Sequence, residues 1–293
     1  MTFLLPFGRA TAVAMLVCSL IAPHRAHAHG ETLIRIAAVT QQIEAATTNV
    51  AQLYLSRGDL HREHQDWTAA EADYAQAAKL EPHLVAVKLC QAALLSDTGR
   101  VEAAEALFTK ALSESPREGE AFIGRARVRL KLERRKDAIA DFQRGIELLP
   151  SSEPEYFLRL ADALVADGRS AEALRTLDDG IKRVGPLIPL LGNALQIELK
   201  QNDLEPALRR VDKILEVAPR KENWLAQRGD ILLLSHRPTE AQHSFTAALK
   251  AIDALPPRIK QSPAILELIS RVRAAITTIN AKSVVTGPRL SQP

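Results

Sequence analysis

Three prolines, Pro82, Pro116 and Pro150, each follow an alanine-rich stretch at intervals of 34 residues, and Pro219 lies 69 residues beyond the last of them. A recurrence of that length identifies an array of helix–turn–helix units. Counting each unit from Ala51, Val85, Gly119, Pro154, Ile188 and Glu222 places alanine at position 20 six times: Ala70, Ala104, Ala138, Ala173, Ala207 and Ala241. Position 24 is large and apolar throughout (Tyr74, Phe108, Phe142, Leu177, Val211, Phe245), and position 27 is mostly small (Ala77, Ala111, Gly145, Gly180, Ile214, Ala248). Small residues at 8, 20 and 27 let the two helices of a unit, A and B, approach closely, while bulky ones at 4 and 24 fill the groove between them.

A hairpin of this kind cannot bury its apolar face alone, so neighbours must stack and the end helices need caps. With 293 residues the chain exceeds one compact domain, and 46% hydrophobic against 4% aromatic residues suits helices packed through small side chains. Ile36, Thr40, Ile43 and Thr48 fall where positions 20, 24, 27 and 32 of a preceding unit would lie, which predicts an N-terminal capping helix over 31–48. At the other end Ile265, Ile269, Val272, Ile276 and Ile279 form one apolar stripe and predict a C-terminal capping helix over 258–282, with 283–293 a disordered tail. Gly99, Gly168 and Asn202, all at position 15, suit the left-handed conformation that ends helix A. Pro206 and Pro238 fall near the start of helix B, where a missing backbone donor costs little.

The pattern resembles the tetratricopeptide repeat (TPR) family. In the first repeat Tyr54, Gly58, Ala70, Tyr74, Ala77 and Pro82 occupy that family's positions 4, 8, 20, 24, 27 and 32. Six repeats occupy 51–253, bounded at 51–84, 85–118, 119–153, 154–187, 188–221 and 222–255. Departures are local: Arg57 and His61 in repeat one and Arg129 in repeat three replace apolar residues, and the segment Gly185-Pro186 to Pro189 replaces the regular exit of repeat four. The resemblance implies an all-α, right-handed superhelical solenoid with N- and C-terminal capping helices.

The N-terminus reads as an export signal: Arg9, an apolar run from Thr11 to Ala22, Pro23, and Ala26-His27-Ala28 as a cleavage site. Cleavage after Ala28 removes Arg9 and Arg25, lowers the net charge from +3 to +1 and leaves Cys90 as the one cysteine. The chain is therefore expected to be exported to a bacterial periplasm without an intrachain disulfide and without a mature membrane span. A lipid anchor at Cys18 is disfavoured because the bulky Val17 precedes it.

No nucleophile elbow, zinc-protease helix, phosphate loop or paired-cysteine motif is present, so neither catalysis nor a cofactor is expected. Cys90, at position 6 of repeat two, reads as an inert, half-buried thiol. Two metal alternatives stand beside this reading: an amino-terminal His29 able to chelate copper, and the pair His61 and His64 on one helix face, able to hold zinc. Arg125, Arg127, Arg129, Lys131, Arg134, Arg135 and Lys136 form a basic cluster that suits an acidic segment or an anionic glycan, with Glu133, Asp137 and Asp141 compensating. Aromatics are not interleaved with it, which argues against nucleic acid.

By the family resemblance, helix-A positions 2, 5, 9, 12 and 13 line a concave surface. Position 5 supplies Leu55, Leu89, Ile123, Leu158, Gly192 and Ala226, and position 9 supplies Asp59, Ala93, Arg127, Asp162, Gln196 and Asp230. An apolar track beside separated charges is suited to an extended or helical protein segment. The expected function is a non-catalytic scaffold or adaptor in the cell envelope that binds a peptide or protein segment on this surface. The alternatives are a subunit of an envelope assembly or polymer-export machine touching an anionic glycan, and a metal-binding accessory protein.

Overall fold

A computed structural model describes residues 22–149 and 153–285, and its described residues form fifteen helices and no strand. The chain divides into two compact units, the first ending at Arg134 and the second beginning at Arg135. Unit one holds α1 (Ala22–Ala45), the hairpins α2 (Val50–Glu63)/α3 (Trp67–Leu80) and α4 (Val85–Asp97)/α5 (Val101–Glu114), and α6 (Gly119–Lys131). Unit two holds α7 (Arg135–Leu148), then α8 (Pro154–Ala166)/α9 (Ser170–Val184), α10 (Ile188–Lys200)/α11 (Leu204–Val217) and α12 (Glu222–Leu234)/α13 (Pro238–Asp253). It closes with the short α14 (Pro257–Lys260) and α15 (Pro263–Val285).

Within each unit every helix from α2 to α6, and from α7 to α13, packs on the next in sequence. Alternate helices also touch, α2 on α4 and α4 on α6 in unit one, and α8 on α10 in unit two. The all-α repeat fold read from the period is thus observed. Its interior is made by the same few positions each time. All six position-20 alanines are 0% exposed, and the position-24 side chains are buried with them. Where an aromatic is the knob, glycine is often the hole: a Cβ on Gly58 would lie 2.4 Å from the Tyr74 ring, and one on Gly229 would lie 2.5 Å from the Phe245 ring. Gly124 stands in the same relation to Phe108, and Gly180 to Phe157.

The turns repeat as strictly as the core. Gln65, Gly99, Glu133, Gly168, Asn202 and His236 all have positive φ, between 56° and 80°, and all occupy position 15. In each, the N–H of the following residue reaches back to a carbonyl five residues earlier at 2.8–2.9 Å, as in Arg100 to Leu95 and Arg237 to Leu232. This six-to-one bond closes helix A and reverses the chain into helix B. Gly99, Gly168 and Asn202 are the residues whose type signals the conformation; Gln65 and His236 adopt it because the hairpin requires it.

The ends differ from expectation in extent. The first helix begins at Ala22 rather than residue 31, because Pro23 in a first turn needs no backbone donor, and it stops at Ala45. Ile36, Thr40 and Ile43 are half-buried, and the helix packs on α2. The C-terminal helix runs to Val285, so residues 283–285 are helical rather than part of a disordered tail; no breaker precedes Gly287-Pro288. Its stripe buries Ile265, Val272 and Ile279 and packs on α13. Residues 1–21, with Arg9 and Cys18, as well as Pro150 and residues from 286 onward, lie outside the described residues.

Non-glycine residues forced into the left-handed region cost about 1 kcal/mol. Replacing His236 with glycine should therefore raise the urea midpoint by the equivalent of about 1 kcal/mol, and Gly168→Ala should lower it similarly. Unchanged midpoints in both would show that position 15 carries no strain.

Candidate functional site

The helix-A faces carry the residues predicted to meet a partner, and the structure sorts them. Leu55 (7% exposed), Ile123 (1%) and Ala226 (0%) are core residues rather than an open apolar track. Leu89, Leu158 and Gly192 are half-buried. At position 9, Arg127, Asp162 and Gln196 are exposed, whereas Asp59, Ala93 and Asp230 are half-buried. A charge placed at Ile123 would accordingly test folding rather than capture.

Several of the charges on these faces are bonded to the neighbouring helix. In unit one, Arg62 of α2 donates to Asp97 of α4 at 2.7 Å, and Lys131 of α6 donates to the Ser96 hydroxyl of α4 at 2.8 Å and to its carbonyl at 3.0 Å. In unit two, Asn193 of α10 donates to Asp162 of α8 at 3.2 Å, and Arg271 of α15 donates to Asp230 of α12 at 2.5 Å. Each unit therefore presents its A helices as a ledge tied side chain to side chain.

Asp59 serves the interior. It accepts the Tyr74 hydroxyl at 2.7 Å and lies 3.9 Å from the Cys90 sulfur. Burial, together with the Asp59 carboxylate, pushes the Cys90 thiol up to about 12 and raises the Tyr74 phenol far above its ordinary range. A thiol so shifted carries almost no thiolate at neutral pH, which makes Cys90 a poor nucleophile.

The basic cluster is likewise spoken for in unit one. Arg129 and Arg134 both donate to Glu105, at 3.0 and 2.7 Å, and Arg125 reaches the Thr109 hydroxyl at 3.3 Å while lying over the Phe122 ring. Arg135 belongs to unit two, exposed at the start of α7. His61 sits 3.7 Å from Asp66 and 4.0 Å from Asp73, and the described residues contain no group of three or more His, Cys, Asp or Glu side chains arranged for a metal. The side chain of His29 lies outside those described.

Sequence reading missed a set of interior ion pairs. Arg57 donates twice to the buried Asp73, at 2.8 and 2.7 Å, and also to Thr40 of the capping helix at 3.2 Å. Arg210, 8% exposed, binds Glu198 through two nitrogens and Asp178 at 2.6 Å. Arg228 joins Asp212 and Ser244. A signal existed: Arg57 and Arg228 stand at position 7 and Glu198 at position 11, and each meets position 23 of its own repeat, where Asp73, Ser244 and Arg210 stand. The apparent departure Arg57 is half of such a pair, and His61, at position 11, lies 4.0 Å from the same Asp73.

Gly192 differs from Gly58, Gly124, Gly180 and Gly229. The nearest atom to a Cβ built there is Cη2 of Trp224, 4.0 Å away, so packing does not demand glycine. In a helix interior glycine costs roughly 0.5–1 kcal/mol relative to alanine.

The tetratricopeptide repeat family model matches residues 55–118 and again 89–153. Residues 55–153 are thus built of tetratricopeptide repeats. The TPR fold is shared with solved structures at low identity. PilW, described as a widely conserved type IV pilus biogenesis factor, has a TM-score of 0.53 and 16% identity over 76% of this chain and 100% of its own. PilF of Pseudomonas aeruginosa has a TM-score of 0.53 and 11% identity over 76% of this chain and 96% of its own. A chain of the APC/C hetero-tetramer Cut9–Hcn1 has a TM-score of 0.50 and 16% identity; it covers 87% of this chain, which spans 47% of its length. No curated protein is significantly similar in sequence. TPR proteins generally mediate protein–protein interaction, and no helix among the described residues is long and apolar enough to cross a membrane.

The Arg210–Glu198 pair of this TPR array can be tested by a double-mutant cycle. Arg210→Met alone strands a buried carboxylate and should cost about 3–5 kcal/mol, whereas Arg210→Met with Glu198→Met should recover most of that loss. Strictly additive losses in urea denaturation would show that the two residues do not act as a pair.

Proposed function

We propose that this TPR protein is a non-catalytic adaptor that binds a peptide or protein segment on the helix-A face of its repeats. The observation that carries the reading is the side-chain tying of successive A helices, Arg62 to Asp97 and Lys131 to Ser96 in unit one, and Asn193 to Asp162 in unit two. Those bonds fix the spacing of neighbouring A helices before a partner arrives, and a pre-organised surface loses less entropy on binding. They also neutralise many of the charges on the face, so that recognition rests on main-chain hydrogen bonding and apolar contact more than on net charge.

An anionic glycan is a weaker occupant, because Arg129, Arg134 and Lys131 already have partners at 3.0 Å or less. The setting we favour is the cell envelope, supported by the apolar run, Pro23 and Ala26-His27-Ala28 of the sequence, with the mature chain starting at His29.

A photo-crosslinking amino acid placed singly at Gln196 or Asn223 on A helices, and at Ala106 or Arg175 on B helices, tests the reading; all four are exposed. Crosslinks to the same partner from Gln196 and Asn223 and none from Ala106 and Arg175 are expected. The reverse pattern would move the binding surface to the helix-B side and overturn the proposal.

A further inference from the structure

We infer that the helix-A face of unit two carries a notch, Gly192 of α10 beside the indole of Trp224 of α12, that receives a proline or aliphatic side chain from an uncharged, extended peptide. This deepens the proposed function and rests on it. The starting point is a glycine without a structural reason. Gly58, Gly124, Gly180 and Gly229 each have an aromatic ring within 2.8 Å of where a Cβ would be, so glycine is required there. At Gly192 the nearest atom is Trp224 Cη2 at 4.0 Å, and its φ is not among the positive ones. Neither sterics nor backbone conformation calls for glycine in the first half of α10, and helix stability disfavours it. What the missing side chain achieves is space: any residue larger than alanine would cover the ring edge of Trp224, which is itself half-buried and packed on the core of unit two.

The surroundings define what fits that space. Asn193 and Gln196 on α10, and Asn223 and Gln227 on α12, lie within one turn of Gly192 or Trp224, and all are exposed or half-buried. A carboxamide both donates and accepts, which matches the alternating N–H and C=O of a peptide main chain. The nearby acids are occupied, Asp162 by Asn193 and Asp230 by Arg271, so a charged ligand group would gain little here. Lys200 lies two turns farther along α10. Packed helices stand about 8–10 Å apart, and an extended chain advances about 3.3 Å per residue, so roughly every third ligand residue would return to an A helix. Proline keeps the chain extended, lacks an N–H that would need a partner, and loses little freedom on binding.

The full chain, as parent and as Gly192→Leu, should be panned with a random decapeptide display library and then titrated with the enriched peptides. In a Trp67→Phe background Trp224 is the remaining tryptophan, and its emission reports occupancy of the notch. Uncharged peptides containing proline or aliphatic residues should be enriched and should shift that emission. Gly192→Leu should weaken them at least tenfold while leaving the melting temperature unchanged or higher. Enriched peptides that bind both chains equally would overturn the notch and leave the helix-A reading intact. Absence of any enriched peptide, together with no crosslink from Gln196 or Asn223, would overturn both. An emission shift with cellohexaose or chitohexaose and none with peptides would assign the notch to a sugar and likewise overturn it.

Discussion

Close approach of two helices over an alanine is the contact on which the rest of this fold depends. At position 20 the methyl of Ala70, Ala104, Ala138, Ala173, Ala207 or Ala241 is fully buried, and four residues on, a large side chain fills the groove that the small one opens. Interiors of this density leave no slack: an added methylene forces a rotamer or a backbone to shift. The tight contact also fixes the hairpin geometry, and with it the left-handed residue that must follow each A helix. Gln65 and His236 accept that conformation against their own preference, so packing, not local propensity, sets the turn.

Much of this was legible in the sequence because it rests on residue size. Alanine six times at one position, and bulk six times at another, can be read without coordinates. The extent of the end helices was harder. A proline at position 23 looks like a breaker but is harmless in a first turn, and the tail stays helical to Val285 because nothing stops it before Gly287. The candidate site was the least legible part. Position 5 was assigned to an open face by family resemblance, yet Leu55 and Ile123 are buried, as their apolar character alone would have suggested. Asp59 looked like a charge aimed at a ligand and instead accepts a hydrogen bond from Tyr74. Partners so distant in sequence can be paired only when the register of one helix on another is known.

The ion pairs connect folding to the surface. Arg57 links the second helix, the third helix through Asp73, and the capping helix through Thr40, so the N-terminal cap is held by polar contacts as well as by Ile36 and Ile43. On the exposed side of the A helices, Asp97, Lys131, Asp162 and Asp230 are bonded to neighbouring helices. Such a face gains rigidity and gives up long-range electrostatic steering, which suits recognition by shape and main-chain hydrogen bonds. Gly192 is a position where helix stability and packing give no account of the residue, and it lies on that face.

The most direct measurement of the central contact compares Ala104→Leu with Ala106→Leu in the same helix. Ala104 is 0% exposed, whereas Ala106 is exposed. Urea denaturation followed by circular dichroism should show Ala104→Leu losing about 1–3 kcal/mol, while Ala106→Leu should stay within about 0.5 kcal/mol of the parent. Equal responses at the two sites would contradict the view that the alanine contact governs how the helices pack.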